Sequence, residues 1–116
     1  MPETTGIPLE FLDEHVGLLI AGNTADLAQR YTEDAIIVRL DRVAAGRDEI
    51  KKFFDDYVAM NPVITEIDGL RMTDDVILYQ AAENLNGQLK TAVGSLIFRG
   101  HLVWRQTVGF VDHRPS

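Results

Sequence analysis

An arginine ends an otherwise apolar run at Arg39, directly after Ile36, Ile37 and Val38. A guanidinium group keeps its charge in a protein, so an arginine on the inner side of a strand needs a carboxylate or a ligand that accepts hydrogen bonds. As a functional group, Arg39 would hold a carbonyl, an enolate or a carboxylate. The alternative is an arginine that faces water on an edge strand, or one that pairs with a nearby acid such as Asp41.

Two further residues could move protons. His15 falls on the apolar side of the first predicted helix, and the ordinary histidine pKa of about 6.5 suits proton transfer near neutrality. Glu83 shares the parity of Tyr79 in a predicted strand, so it could be a base or the partner of Arg39. The alternatives are a histidine that is simply part of the core and a glutamate that lies in water near a strand end.

Hydrophobic periodicity predicts the elements that must position these residues. Steps of three and four residues predict amphipathic helices, and β-branched or alternating runs predict strands. The helices are predicted at 9–21, at about 25–31, and from 46 to a stop at Asn61 and Pro62; the strands are predicted at 35–40, 43–45, 63–72, 76–85, 89–98 and 102–111.

The last four predicted strands follow one another so closely that they can only form antiparallel hairpins. Asn86-Gly87 is the strongest of the turn signals between them. Both faces of these strands are apolar, so one face is expected to meet the helices and the other a partner subunit. The order of elements predicts an α+β protein with the helices on one side of a curved antiparallel sheet.

Composition excludes several classes of protein. The 116 residues fit one domain, 1–116, with loosely held ends at about 1–8 and 113–116. The absence of cysteine removes disulfides and thiol catalysis, and a net charge of −7 opposes binding to nucleic acid or anionic membranes. No secretory signal or membrane span is apparent, so a cytoplasmic location is expected.

No phosphate-binding glycine loop, nucleophile elbow or HExxH helix is present in the sequence. His101 falls in a predicted turn and His113 in the tail, so no metal site is predicted. The sequence therefore excludes kinases, classical hydrolases and zinc proteases.

The segments IAGNTADLAQRYTEDAIIV and AAGRDEIKKFF, together with the closing strands, resemble the NTF2-like superfamily in its SnoaL-like and ketosteroid isomerase-like branch. The resemblance implies a cone, in which three N-terminal helices pack on a strongly curved antiparallel sheet that encloses a pocket. It also implies a hydrophobic small-molecule ligand, no cofactor, and a homodimer formed through the sheet face. The fold hosts many activities, so it does not by itself indicate a reaction.

The ketosteroid isomerase pattern can be laid over Gly22 and Tyr31 without gaps. Its oxyanion-hole tyrosine then falls on His15, its general-base aspartate on Arg39, and its second oxyanion-hole acid near 94–96. None of these positions holds a carboxylic acid, so steroid isomerisation does not carry over. The aspartate, arginine, aspartate relay of limonene epoxide hydrolase-like relatives is not found in a matching strand either.

The same resemblance places an aromatic wall around the cavity, where two or three rings usually grip a flat apolar ligand. Gln106 alternates with Trp104 and would add a polar contact. The candidate catalytic residues are His15, Arg39 and Glu83, and the candidate substrate-binding residues are Phe54, Tyr57, Tyr79, Trp104, Gln106 and Phe110.

Two functional hypotheses follow. The first is a small-molecule-binding protein that acts as a cofactor-free isomerase, cyclase or hydrolase, in which His15 or Glu83 moves the proton and Arg39 stabilises negative charge. The second is a non-catalytic ligand-binding module or dimeric assembly module, which the loss of the isomerase acids favours.

Overall fold

Helices and strands occupy nearly all of the chain that the computed structural model describes, residues 10–112. The ends predicted to be loose, 1–8 and 113–116, lie outside the described residues. The elements are α1 (Phe11–Ala21), α2 (Thr24–Gln29), β1 (Tyr31–Arg39), β2 (Arg42–Ala45), α3 (Gly46–Val58), β3 (Val63–Met72), β4 (Val76–Leu85), β5 (Gln88–Arg99) and β6 (Leu102–Asp112). Over residues 10–112 this is the predicted α+β arrangement, with three helices and a six-stranded sheet.

Local sequence explains where the helices begin and end. Gly22 closes α1 in the left-handed conformation, with φ 71°, and its N–H bonds the carbonyls of Leu18 and Leu19. The Asn23 side chain then caps α2 by accepting the N–H of Asp26. These contacts make a sharp corner between α1 and α2.

The strand β1 is longer than predicted. Tyr31 pairs with Val103 and Ile36 with Arg105, so several residues of β1 bulge out opposite a single residue of β6. Four residues, 32–35, lie in this bulge. The first three, Thr32, Glu33 and Asp34, are polar or charged, so the hydrophobic pattern did not indicate the start of the strand.

The sheet is mixed, which corrects the expectation of a wholly antiparallel sheet. Its strand order is β2-β1-β6-β5-β4-β3, and β1 runs parallel to β6 while the other neighbours are antiparallel. The predicted hairpins are therefore present, but the pairing of β1 with β6 joins strands that are distant in sequence. Such a pairing leaves no local signal.

Helix α3 lies across β1 and buries the predicted apolar face: Ile50, Phe53, Phe54 and Tyr57. The largest side chains with almost no exposure complete the core: Tyr31, Leu27, Ile37, Ile50, Ile77, Leu96 and Val103. Within residues 10–112, no helix is both long enough and apolar enough to cross a bilayer.

Gly94 allows a close approach between strands and a side chain. It lies opposite Tyr79 in the β4–β5 pair, and a Cβ atom added to it would lie 2.6 Å from the Tyr79 hydroxyl and 2.5 Å from the Thr107 carbonyl oxygen. The absence of a side chain at position 94 therefore lets the Tyr79 hydroxyl lie over β5.

We expect Gly94→Ala to lower the free energy of unfolding by about 1–3 kcal/mol, because the methyl group overlaps backbone as well as the Tyr79 ring. Chemical denaturation with urea measures the change. Gly109→Ala on β6 is the matched control, since its added Cβ atom would find its nearest neighbour at 4.0 Å. Equal stability of the two variants would contradict this account of the glycine.

Candidate ligand site

A cavity of about 80 Å³ lies between the helices and the inner face of the sheet. Helices α1 and α3 form one wall, and β1, β3, β4, β5 and β6 contribute the others. Eight of the nine sequence-predicted site residues lie around it: His15, Arg39, Phe54, Tyr57, Tyr79, Glu83, Gln106 and Phe110. The structure therefore brings most of the predicted positions together, while their roles remain predictions.

Trp104 is the exception, and a β-bulge is the reason. Phe98 pairs with Val103, but Ile97 pairs with Arg105, so Trp104 is an extra residue in β6 and the inward alternation shifts there. Its ring instead lies beneath the guanidinium groups of Arg99 and Arg105, at 4.5 and 4.0 Å from its centroid. The expected alternation of Trp104 with Gln106 was thus wrong.

Glu83 is a buried acid in a largely apolar wall, with 3% of its surface exposed. Its carboxylate accepts a hydrogen bond from the Tyr57 hydroxyl of α3. Burial raises the pKa of Glu83 above the ordinary value, and the hydrogen bond from Tyr57 opposes part of that rise. A carboxyl group with a raised pKa is suited to exchange protons with a ligand nearer to neutral pH.

Two tyrosines near Glu83 stay protonated. Burial is the main cause that raises the pKa of Tyr57, and the neighbouring Glu83 carboxylate raises it further. The pKa of Tyr79 is raised to about 12, again by burial and then by Glu83, while a hydrogen bond with Gln106 acts in the opposite direction. Both hydroxyl groups are therefore hydrogen-bond donors rather than bases at neutral pH.

Gln106 is held by Tyr31, which the sequence analysis placed at the end of the second predicted helix. The Tyr31 hydroxyl donates a hydrogen bond to the Gln106 carbonyl oxygen, and both side chains are buried. This bond fixes the orientation of the amide, which also forms a hydrogen bond with Tyr79. The sequence offered no signal for the pair, because it depends on the parallel contact between β1 and β6.

His15 is packed among rings. Its imidazole stacks on Phe11 at 5.3 Å and meets the Phe54 ring edge to face at 5.9 Å. Burial, followed by the nearby charge of Arg30, lowers the pKa of His15 to about 3. The ring is therefore neutral at pH 7, and its buried Nδ1 atom has no hydrogen-bond partner among the described residues. An imidazole of such low basicity is a weak general base, and its protonated form is not populated near neutral pH, so the proposed proton-transfer role moves towards Glu83.

Arg39 points to the inner side but already has a partner. Its Nε and Nη2 atoms donate to the two carboxylate oxygens of Asp41, at 2.6 and 3.3 Å. The guanidinium lies over the rings of Phe53 and Phe110, at 5.0 and 6.0 Å from their centroids, and 18% of the side chain is exposed. The pairing with Asp41 was the predicted alternative for this residue. Arg39 nevertheless lines the cavity, and it does not pair with Glu83.

A metal site has no support in this arrangement. Within the part of the chain that the structure describes, no three histidine, aspartate or glutamate side chains come together in a way that could hold an ion. The polar groups around the cavity are instead a carboxyl, a guanidinium, an amide, an imidazole and phenols.

Comparison with solved structures identifies the fold. The chain superposes on an NTF2-like protein of unknown function from Burkholderia xenovorans with a TM-score of 0.79 and 20% identity, covering 92% of this chain and 84% of that one. It also matches SalBIII, an epoxide hydrolase/cyclase-like enzyme of pyran ring formation in salinomycin, with a TM-score of 0.75 and 17% identity over 88% of each chain.

A third match is a protein with a ketosteroid isomerase-like fold from Catenulispora acidiphila, solved in complex with trimethylamine. Its TM-score is 0.72 at 17% identity, covering 86% of this chain and 84% of that one. No protein-family model and no curated protein matches the sequence. The chain has the NTF2-like fold, which confirms the resemblance seen in the sequence. At these identities, the likeness establishes the fold alone.

We expect His15 to make the protein less stable as the pH falls. Its folded pKa of about 3 lies below the ordinary value of 6.5, so the stabilisation is complete above pH 6.5 and is lost as the pH falls from there towards 3. Relative to His15→Leu, the wild-type protein should lose up to about 1.4 kcal/mol of unfolding free energy per pH unit in this window. Urea denaturation at pH 7, 6, 5 and 4 measures the difference.

His101→Gln is the control variant, because His101 is exposed in the turn between β5 and β6. It should follow the wild-type pH profile. Parallel profiles for wild-type protein and His15→Leu would show that burial of His15 does not favour its neutral form.

Proposed function

We propose that this protein binds a small, mainly apolar carbonyl compound in its cavity and catalyses cofactor-free proton transfer on it, with Glu83 as the group that takes and returns the proton. The observation that carries the proposal is the buried carboxyl of Glu83 in an apolar wall, held by the Tyr57 hydroxyl. Proton abstraction next to a carbonyl needs a base in a dry site and a donor that stabilises the oxygen as it gains charge.

The cavity also holds candidates for the hydrogen-bond donor to the carbonyl oxygen and for the apolar contacts with the ligand. Tyr79, Gln106 and Arg39 are the groups at the cavity that could donate a hydrogen bond to the oxygen of a ligand. Phe54 and Phe110 supply apolar contact on either side. The cavity would correspond to the pocket of the cone that the family resemblance implies. SalBIII, which shares the fold, is an epoxide hydrolase/cyclase-like enzyme, and this likeness supports an enzymatic function.

Specific observations favour the non-catalytic alternative. Arg39 is already neutralised by Asp41, and a cavity of about 80 Å³ is smaller than the roughly 300–1,000 Å³ of ordinary ligand sites. In this alternative, the cavity binds its ligand without changing it. The experiment below separates the two functions.

We expect the wild-type protein to speed the exchange of the α-hydrogens of butan-2-one for deuterium in D₂O, followed by proton NMR. Glu83→Gln should reduce the rate by about 10²-fold or more, since the variant cannot take up the proton. The wild-type rate should also rise with pH through the raised pKa of Glu83, because the ionised carboxylate is the base.

Glu66→Gln is the matched control, since Glu66 lies on the neighbouring strand β3 and is exposed. It should exchange butan-2-one at the wild-type rate. Binding of butan-2-one without accelerated exchange would favour the non-catalytic module. If butan-2-one neither binds nor exchanges, the proposed function is wrong.

We also propose a homodimer through the outer face of the sheet. Leu78, Val93 and Val111 point away from the cavity side and are 49%, 39% and 59% exposed. A group of apolar side chains on one face of a sheet is a common feature of an interface between subunits. Ser95 and Thr107 lie among them, and their hydroxyl groups bond each other at 2.7 Å.

Size-exclusion chromatography with light scattering should give about twice the chain mass of 13.0 kDa. Val93→Lys should shift the protein to the monomer, because the ammonium group would be buried without a partner in the interface. Leu40→Lys is the control, as Leu40 is fully exposed in the turn after β1. A wild-type monomer at micromolar concentration would refute the dimer.

A further inference from the structure

A groove of about 470 Å³ opens between α1 and β3, next to the cavity. Leu12 and Ile67 line both spaces, so the groove begins where the cavity ends. The cavity alone could hold only a few ligand atoms, whereas the groove has the volume of an ordinary ligand site.

The floor of the groove is the uncovered end of the inner sheet face. Leu70 pairs with Tyr79 and Met72 pairs with Ile77, so both side chains share the face that lines the cavity. Ile67, Leu70 and Met72 are 37%, 46% and 38% exposed, because the helices do not extend over β3. An apolar strip therefore leads from solvent to the Tyr79 side chain.

Charge at the rim restricts what can lie on this strip. The charged side chains that line the groove are Asp13 of α1 and Asp68 of β3, and both are exposed. Two carboxylates on a protein of net charge −7 repel an anionic ligand. Next to the groove, in the cavity, Tyr79 and Gln106 offer neutral hydrogen-bonding groups.

We propose that the groove is the entrance and the second half of the ligand site, so that the ligand is elongated: an uncharged, oxygen-bearing head lies in the cavity and an unbranched apolar body lies in the groove. This inference rests on the proposed function, because it extends the same cavity. It names the substrate class as long-chain, uncharged carbonyl compounds, and it makes Leu12 and Ile67 the junction between head and body.

The test is a series of 2-alkanones from butan-2-one to decan-2-one, with dissociation constants measured by NMR titration on the full-length protein. Affinity should rise about three- to fourfold per methylene group once the chain passes Leu12 and Ile67, which is the gain for moving one methylene out of water. Octanoate should bind about tenfold more weakly than octan-2-one because of the two carboxylates at the rim.

Leu70→Ser tests the groove directly, since Leu70 lines the groove but not the cavity. Leu70→Ser should reduce the gain in affinity per methylene group and leave the affinity for butan-2-one unchanged. Val63→Ser is the matched control, because Val63 lies on the same strand with 56% exposure and does not line the groove. Val63→Ser should show the same gain in affinity per methylene group as the wild-type protein. Both variants replace exposed residues, and circular dichroism should verify that they fold.

Constant affinity across the series, with butan-2-one still bound, would overturn the elongated ligand and leave the proposed function intact. Equal chain-length dependence in Leu70→Ser and Val63→Ser would also overturn it. Failure of every alkanone to bind, including butan-2-one, would instead refute the proposed function and this extension together.

Discussion

The pairing of β1 with β6 is the constraint on which the rest of the site depends. It sets Ile37 beside Gln106 and Arg39 beside Val108, so the polar residues of two distant segments meet at one side of the cavity. It also brings the Tyr31 hydroxyl to the Gln106 carbonyl oxygen, a buried bond that orients the amide. Because α3 follows β1 through the short strand β2, the same pairing places Phe54 and Tyr57 over the sheet. Without this parallel contact, helix α3 would have no defined position over the hairpins of β3 to β6.

Burial acts on the two proton-transfer candidates in opposite directions. An apolar environment disfavours the charged form of any group, so it makes a histidine less basic and a carboxylic acid less acidic. His15 is consequently neutral over the whole physiological range, while burial raises the pKa of Glu83 above its ordinary value. Burial thus argues against His15 as the proton-transfer group and favours Glu83. Tyr57 links helix α3 to Glu83 and holds its carboxyl group in position.

Arg39 lies at the position where the isomerase pattern has its general base. The isomerase pattern places a carboxylate there, and this chain has a cation neutralised by the exposed Asp41 and resting on aromatic rings. The charge is at the edge of the cavity, where water still reaches Asp41, so it does not carry the full cost of a buried ion. The buried carboxyl group at this cavity belongs to Glu83 of β4, which accepts a hydrogen bond from Tyr57.

Much of the fold could be predicted from the sequence because it depends on neighbours along the chain. The stripe of α3, the capping by Gly22 and Asn23, and the Asn86-Gly87 hairpin are all local features. The inward parity of Tyr79 and Glu83 also follows from simple alternation, since β4 has no bulge between them. These local rules, together with the family resemblance, were enough to predict many of the residues that line the cavity.

Only the tertiary structure decided the rest. A one-residue bulge turned Trp104 out of the wall, and the parallel contact of β1 with β6 supplied the Tyr31 partner of Gln106. Arg39 pairs with Asp41 rather than with Glu83 because Asp41 lies within hydrogen-bonding distance in the folded chain. His15 loses basicity because the groups packed around it exclude water. Register, ion pairing and burial are properties of contacts between distant segments, so a periodic pattern in one segment does not contain them.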